Sequence, residues 1–250
     1  SILVVGDDHL GHGKSVKDKD EYGFFAEKNG WNCMVKDLHT LYEKTRSEYQ
    51  EIPYFILGHS MGSFLTRTYL INYPQEDISG AILSGTGQQA PVVIDAGLAF
   101  IKIEGRKEGM RRRSDKVDSI CFGMYNRTNS DWLSRDEIQV DKKVNDPACN
   151  FIPTLSGFSD MLNGLKYIGK QANVNRINKN LPILLFSGDH DPVGSMGRGV
   201  KKVYKSFLKA GCKDVTLKLY PGGRHEMLNE TNRQEVYEDI FRWLEAHINE

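Results

Sequence analysis

The pentapeptide Gly58-His59-Ser60-Met61-Gly62 sets a serine between two glycines, directly after the apolar run 54–57 and directly before a helical pattern. A serine hydroxyl is a poor nucleophile until a base takes its proton, and the base usually needs a carboxylate to orient it. Both residue types follow, in the order Ser, Asp, His. Ser187-Gly188-Asp189-His190-Asp191-Pro192-Val193 succeeds the apolar run 183–186, and Gly222-Gly223-Arg224-His225-Glu226 succeeds the run 215–219. A nucleophile on a strand-to-helix turn sits on strained backbone with its oxygen exposed. The helix N-terminus behind it faces the negative charge that develops in acyl transfer. On these grounds alone either Asp189 or Asp191 can be the acid.

Such a set converges only if the elements bring it together. Short apolar runs at 2–5, 54–57, 81–83, 183–186 and 215–219 alternate with helical patterns, the signature of a parallel sheet built from βαβ units. The run 215–219 alternates most and is expected nearest an edge. Helices are expected over 31–49 and 64–73, the second stopped by Pro74. Val236, Tyr237, Ile240, Phe241, Leu244 and Ile248 recur at intervals of three and four, marking an amphipathic C-terminal helix. The fold class is therefore α/β, a mostly parallel sheet flanked by helices. Residues 1–87 and 181–250 form its core. Residues 88–180 carry no clear strand and are too long for a plain loop, so they are expected to be a helical cap inserted between core strands. In a parallel sheet all three candidate segments lie at the C-terminal strand ends, where open α/β sheets bind ligands.

With Asp8-His9-Leu10-Gly11-His12-Gly13-Lys14-Ser15 after the first run, these motifs resemble the α/β-hydrolase superfamily over nearly the whole chain. Within it the chain is similar to the branch of monoacylglycerol lipases, lysophospholipases and serine aminopeptidases. The resemblance implies Ser60 as nucleophile, His225 as general base and Asp191 as the orienting acid, since Asp191 is the third residue after Gly188 and precedes Pro192. It implies the Met61 amide as one oxyanion-hole donor. It also implies further strands and an H-G-x-G-type loop ahead of residue 2, so additional chain is expected upstream. The implied substrate is a small-molecule or lipid carboxylic ester of the monoacylglycerol or lysophospholipid type. Neither metal nor cofactor is needed. Three other readings stand beside this one: an aminopeptidase-like serine peptidase, a haloperoxidase or dehalogenase relative, and a ligand-binding protein with a weakly active triad.

The remaining features narrow the class. Among 250 residues, 33 Lys and Arg balance 33 Asp and Glu, which gives no general attraction to nucleic acid. No apolar run approaches the length of a membrane span. Cys33, Cys121, Cys149 and Cys212 form no C-x-x-C pair, which excludes a zinc knuckle and suits free thiols in the cytoplasm. Arg106-Lys107 and Arg111-Arg112-Arg113 read as a solvated helix face of the cap, or as a contact with an anionic membrane surface helped by the apolar stretch 92–103. An apolar inner cap face would form an acyl channel. His9, His12, His39, His190 and His247 are expected to make loop or surface hydrogen bonds. His59 adjoins Ser60 but is not placed to reach its hydroxyl. Asp189 is expected to cap its turn, Glu226 to bind local backbone, and 8–15 to form a sharp structural loop.

Overall fold

The computed structural model describes residues 2–122 and 132–248. In chain order it contains α1 (Gly30–Glu48), β1 (Phe55–His59), α2 (Met61–Asn72), β2 (Gly80–Ser84), α3 (Pro91–Glu108), α4 (Asp115–Phe122), α5 (Glu137–Asn145), α6 (Leu155–Ile168), α7 (Gln171–Val174), β3 (Ile183–Gly188), α8 (Arg198–Lys209), β4 (Val215–Tyr220) and α9 (Arg233–Ile248). The strands form one sheet in the order β1-β2-β3-β4, parallel throughout. β2 and β3 are buried along their whole length, whereas β4 is half-buried at the edge, as its alternating sequence implies.

Side-chain alternation sends successive residues to opposite faces. Leu83, Ile183 and Leu185 pack on Met34 and Val35 of α1, Leu65 and Tyr69 of α2, and Val200, Val203 and Phe207 of α8. Ile82, Leu184, Phe186 and Tyr220 pack beneath Val236 and Trp243 of α9 and Met227. Each such fully buried side chain contributes roughly 1.5–3 kcal/mol. α2 ends at Asn72 because a residue preceding a proline disfavours helical backbone, and Tyr73 precedes Pro74.

Residues 2–5 depart from expectation. They form no strand, and Ile2, Leu3, Val4 and Val5 are 60%, 53%, 84% and 42% exposed. Ladder hydrogen bonds define a strand, and the sheet edge at β1 does not pair with this segment. α8, by contrast, has no counterpart among the expected helices, although Val200, Val203 and Phe207 carry its buried face at helical spacing.

Between β2 and β3 the described residues hold five helices and no strand, only an isolated bridge from Arg113 to Thr154. Thr154 caps α6 by accepting from the Gly157 amide, and Asp136 caps α5 by accepting from Ile138 and Gln139. α6 packs against α1, α2 and α3. Ile94, Ile101, Leu155, Phe158 and Leu162 belong to the same apolar cluster as Leu65 and Leu83, so this helical insertion is seated on the main core.

Candidate active site

Ser60 occupies the turn between β1 and α2 with φ 52° and ψ −121°, a left-handed conformation that side chains other than glycine rarely adopt. Its amide continues the sheet by donating to the Ser84 carbonyl at 2.9 Å, and its own carbonyl starts α2 by accepting from Ser63 at 2.9 Å. The turn depends on Gly58, where a Cβ would stand 2.4 Å from the Gly62 carbonyl oxygen and 2.4 Å from Thr66 Oγ1. Gly62 has no comparable requirement, since nothing lies within 4 Å of its would-be Cβ. The Met61 amide heads α2, where no preceding turn supplies a carbonyl to receive it.

Asp191 and His225 meet at the C-terminal ends of β3 and β4. His225 Nδ1 lies 3.0 Å from Asp191 Oδ2. The same oxygen accepts from Ser187 Oγ at 2.7 Å, and Oδ1 accepts from the Val193 amide at 2.8 Å. Asp191 is fully buried and His225 is 2% exposed. A carboxylate offers only acceptors, so Nδ1 is the ring nitrogen that donates to Asp191. Nε2 is buried with no hydrogen-bond partner among the described residues. The ring lies against both surroundings of Ser60. Its centroid is 4.7 Å from that of His59, and a Cβ on Gly85 would stand 2.9 Å from His225 Cε1. Gly85, at φ 59°, directly follows the Ser84 that receives the Ser60 amide.

Asp189 is not part of this pair. Its Oδ1 accepts from the Gly222 amide at 2.7 Å and meets His190 Nδ1, which ties the two loops together from outside. His59 faces Ser84 Oγ at 3.2 Å, and burial, with the nearby His225, pushes its pKa down to about 3. It therefore stays uncharged beside the imidazole.

The family model described as serine aminopeptidase, S33, matches residues 1–232. The chain belongs to that family. It is an α/β-hydrolase of the monoacylglycerol-lipase-like branch. Monoacylglycerol lipase of Mycolicibacterium smegmatis is 28% identical over 99% of this chain and 79% of its own length. A thermostable carboxyl esterase from Bacillus coagulans, solved with glycerol, is 31% identical with a TM-score of 0.87, covering 96% of this chain and 79% of that one. A soluble variant of Saccharomyces cerevisiae monoglyceride lipase, with a substrate analog, shares the fold at 22% identity and a TM-score of 0.77, over 97% of this chain and 77% of that one.

Other sequence features of this hydrolase fall outside the pair. In the loop 8–15, Asp8 accepts from the Lys14 amide and Ser15 Oγ donates to the Asp8 carbonyl, closing a short 3-10 turn at Gly13–Ser15. His12 bonds the Leu10 carbonyl and stacks on Phe25, while His39 stacks on Tyr73 and meets Tyr69. His247 reaches Asp214 and the Trp243 carbonyl. Glu226 accepts from the Asn229 side chain rather than from backbone. The basic residues do not form one solvated helix face, because α3 ends at Glu108 between the two groups. Arg111 lies over the Phe24 ring and pairs with Glu27, and Arg113 donates to the carbonyls of Lys19, Asp20, Tyr22 and Ile152. These guanidiniums clamp the loop after residue 18 to the insertion.

A groove of about 440 Å³ lies between α3 and α4, lined by Phe100, Asp115, Lys116, Ser119 and Ile120. None of Ser60, Asp191 or His225 lines it. Among the described residues no group of three His, Cys, Asp or Glu could hold a metal ion, and no helix is long and apolar enough to cross a membrane. Reasoning from sequence did not single out Ser187, Trp132 or Glu230. Trp132 lies with its ring 5.3 Å from that of His225 and receives the His225 amide on its carbonyl at 3.3 Å. Residues 123–131, just before it, lie outside the described residues. The only sequence signal for Ser187 is its place four residues before Asp191.

Proposed function

We propose that the chain hydrolyses monoacylglycerols or closely similar carboxylic esters, with Ser60, His225 and Asp191 acting as a catalytic triad. It is a carboxylic ester hydrolase; the finer reading rests on one observation above all. A buried histidine is oriented by a buried carboxylate through Nδ1 while its Nε2 is left unpartnered, and its ring packs against His59, the neighbour of a serine held in strained backbone. An imidazole so arranged can take one further proton at Nε2, and in this reading that proton comes from the hydroxyl of Ser60.

In this reading Ser60 Oγ attacks the ester carbonyl carbon as its proton passes to His225 Nε2. The electron pair of the C=O bond moves to oxygen, where the Met61 amide receives the charge. Asp191 stabilises the imidazolium without taking its proton. The tetrahedral intermediate collapses, the C–O bond to glycerol breaks, and His225 returns its proton to the departing alkoxide. Water, deprotonated by the same nitrogen, then opens the acyl-enzyme to the free acid and restores Ser60.

The helical insertion is the proposed cap. Val92, Val93, Ile103, Ile120 and Ile138 are all more than half exposed on it, which suits peripheral contact with a lipid surface. Four free thiols suit the cytoplasm. The test is a panel of 1-monoacylglycerols of increasing chain length, lysophospholipids, and aminoacyl p-nitroanilides. The expected result is preferential turnover of a monoacylglycerol that disappears in Ser60→Ala. Preference for an aminoacyl amide would replace lipase by peptidase, the activity named by the family's description.

A further inference from the structure

His225 is carried by a loop that the sheet holds on one side only. There the Gly188 amide donates to the Arg224 carbonyl at 3.1 Å and the His190 amide to Gly223 at 2.9 Å. On the other side the loop lies against residues 132–136 of the insertion. The His225 amide donates to the Trp132 carbonyl and the Glu226 amide to the Leu133 carbonyl at 2.7 Å. Ser134 Oγ bonds the Asn229 carbonyl, and Arg224 Nη1 donates to the Ser134 carbonyl.

One side chain joins the two strips at both ends. Glu230 is fully buried, which an ionised carboxylate tolerates only when its acceptor sites are filled. Its Oε1 accepts from the Arg224 amide at 2.9 Å and the Arg135 amide at 3.2 Å. Its Oε2 accepts from Arg135 Nε at 2.9 Å and the Thr231 amide at 2.9 Å. The backbone group immediately before His225 and the backbone of the insertion therefore share one oxygen. Burial raises the Glu230 carboxyl, but the bonds from Thr231, Arg135 and Arg224 outweigh it and hold the group below the usual carboxylate range.

We propose that Glu230 is a positioning residue for the hydrolytic reaction, its carboxylate locking residues 132–136 of the insertion to the His225 loop so that the imidazole keeps its place opposite Ser60. The inference rests on the triad reading above. In Glu230→Gln the shape is retained, but the amide NH₂ turns two donors toward N–H groups that need an acceptor. The joint opens, and the imidazole shifts while Ser60 and the substrate contacts remain.

The experiment compares wild type, Ser60→Ala, Glu230→Gln and Arg135→Gln on p-nitrophenyl butyrate, with the rate of fluorophosphonate labelling per folded molecule measured in parallel. Expected are a fall in kcat and in labelling rate of about 10²-fold for Glu230→Gln with KM little changed, and a smaller fall for Arg135→Gln. The downfield proton resonance of the His225–Asp191 bond should weaken or move in both. Arg135→Gln leaves the carboxylate in place, so it tests the coupling should Glu230→Gln not fold. Wild-type kcat, labelling and resonance in a folded variant would overturn the inference while leaving the triad intact. Failure of the wild-type chain to react at Ser60 would remove both.

Discussion

Among the described residues the Asp191 carboxylate meets three donors, and only one of them is on His225. Ser187 and the Val193 amide fix the carboxylate so that Oδ2 faces the imidazole. An asparagine there must present an NH₂ to one of these donors, and wherever that NH₂ faces the imidazole the tautomer with Nε2 free is lost. Asp191→Asn is expected to lower kcat by about 10⁴-fold. Asp189→Asn keeps an acceptor for the Gly222 amide and should leave kcat close to wild type. Steady-state hydrolysis of a soluble ester by the two variants checks the pair, and equal losses would contradict the assignment of Asp191. The choice between these aspartates was legible only through resemblance, because two residues of spacing carry no direction. What separates them is burial, full for Asp191 against a 40% exposed Asp189 side chain. The neutrality of His59 was not legible at all, since it follows from packing against Ser84 and His225 rather than from neighbours in sequence.

At the scale of elements, the turn between β1 and α2 holds Ser60 in its strained conformation because strand and helix come within contact at one residue. Gly58→Ala would place a methyl 2.4 Å from backbone and is expected to destabilise the chain by at least about 1–3 kcal/mol. Gly62→Ala meets open space in the first turn of α2 and should be neutral or stabilising by up to about 1 kcal/mol. Urea denaturation of both variants measures the difference, and equal effects would contradict the close approach. The four strands and the helices α1, α2 and α9 were readable from apolar runs and spacing. The segment 2–5 was misread because its β-branched residues signal a strand, while a strand forms only where a neighbour completes its hydrogen bonds. Spacing does not distinguish the two glycines around Ser60, whereas the close contact falls on Gly58 alone.

For the whole molecule, the question is what keeps the insertion seated on the main core. Arg67 of α2 is 2% exposed and donates to the Gly87 carbonyl at 2.8 Å, Gln88 Oε1 at 3.0 Å and the Ile168 carbonyl at 3.3 Å. Burial lowers its pKa to about 9, so it remains charged at neutral pH and ties both ends of the insertion to the helix behind Ser60. Arg67→Met is expected to lose on the order of 1–3 kcal/mol for each buried acceptor left unpaired, read by thermal and urea unfolding. Glu230 adds a pH-dependent tie facing Arg135 and Arg224. Its folded pKa lies below the ordinary 4.5, so its contribution is present above that value and is lost as pH falls through the folded one. Stability should therefore fall more steeply below pH 4.5 in wild type than in Glu230→Gln, and parallel curves would contradict it. The seat was not legible in sequence, because Arg67 reaches Gly87 and Ile168, 20 and 101 residues away, and Glu230 reaches Arg135, 95 residues away. The central claim, that this chain activates Ser60, is tested most directly by fluorophosphonate labelling of the purified protein with the adduct located by mass spectrometry. A single adduct on Ser60, absent from Ser60→Ala and from His225→Ala, is the predicted result. Folded wild-type chain that carries no adduct, or carries it elsewhere, would contradict the account.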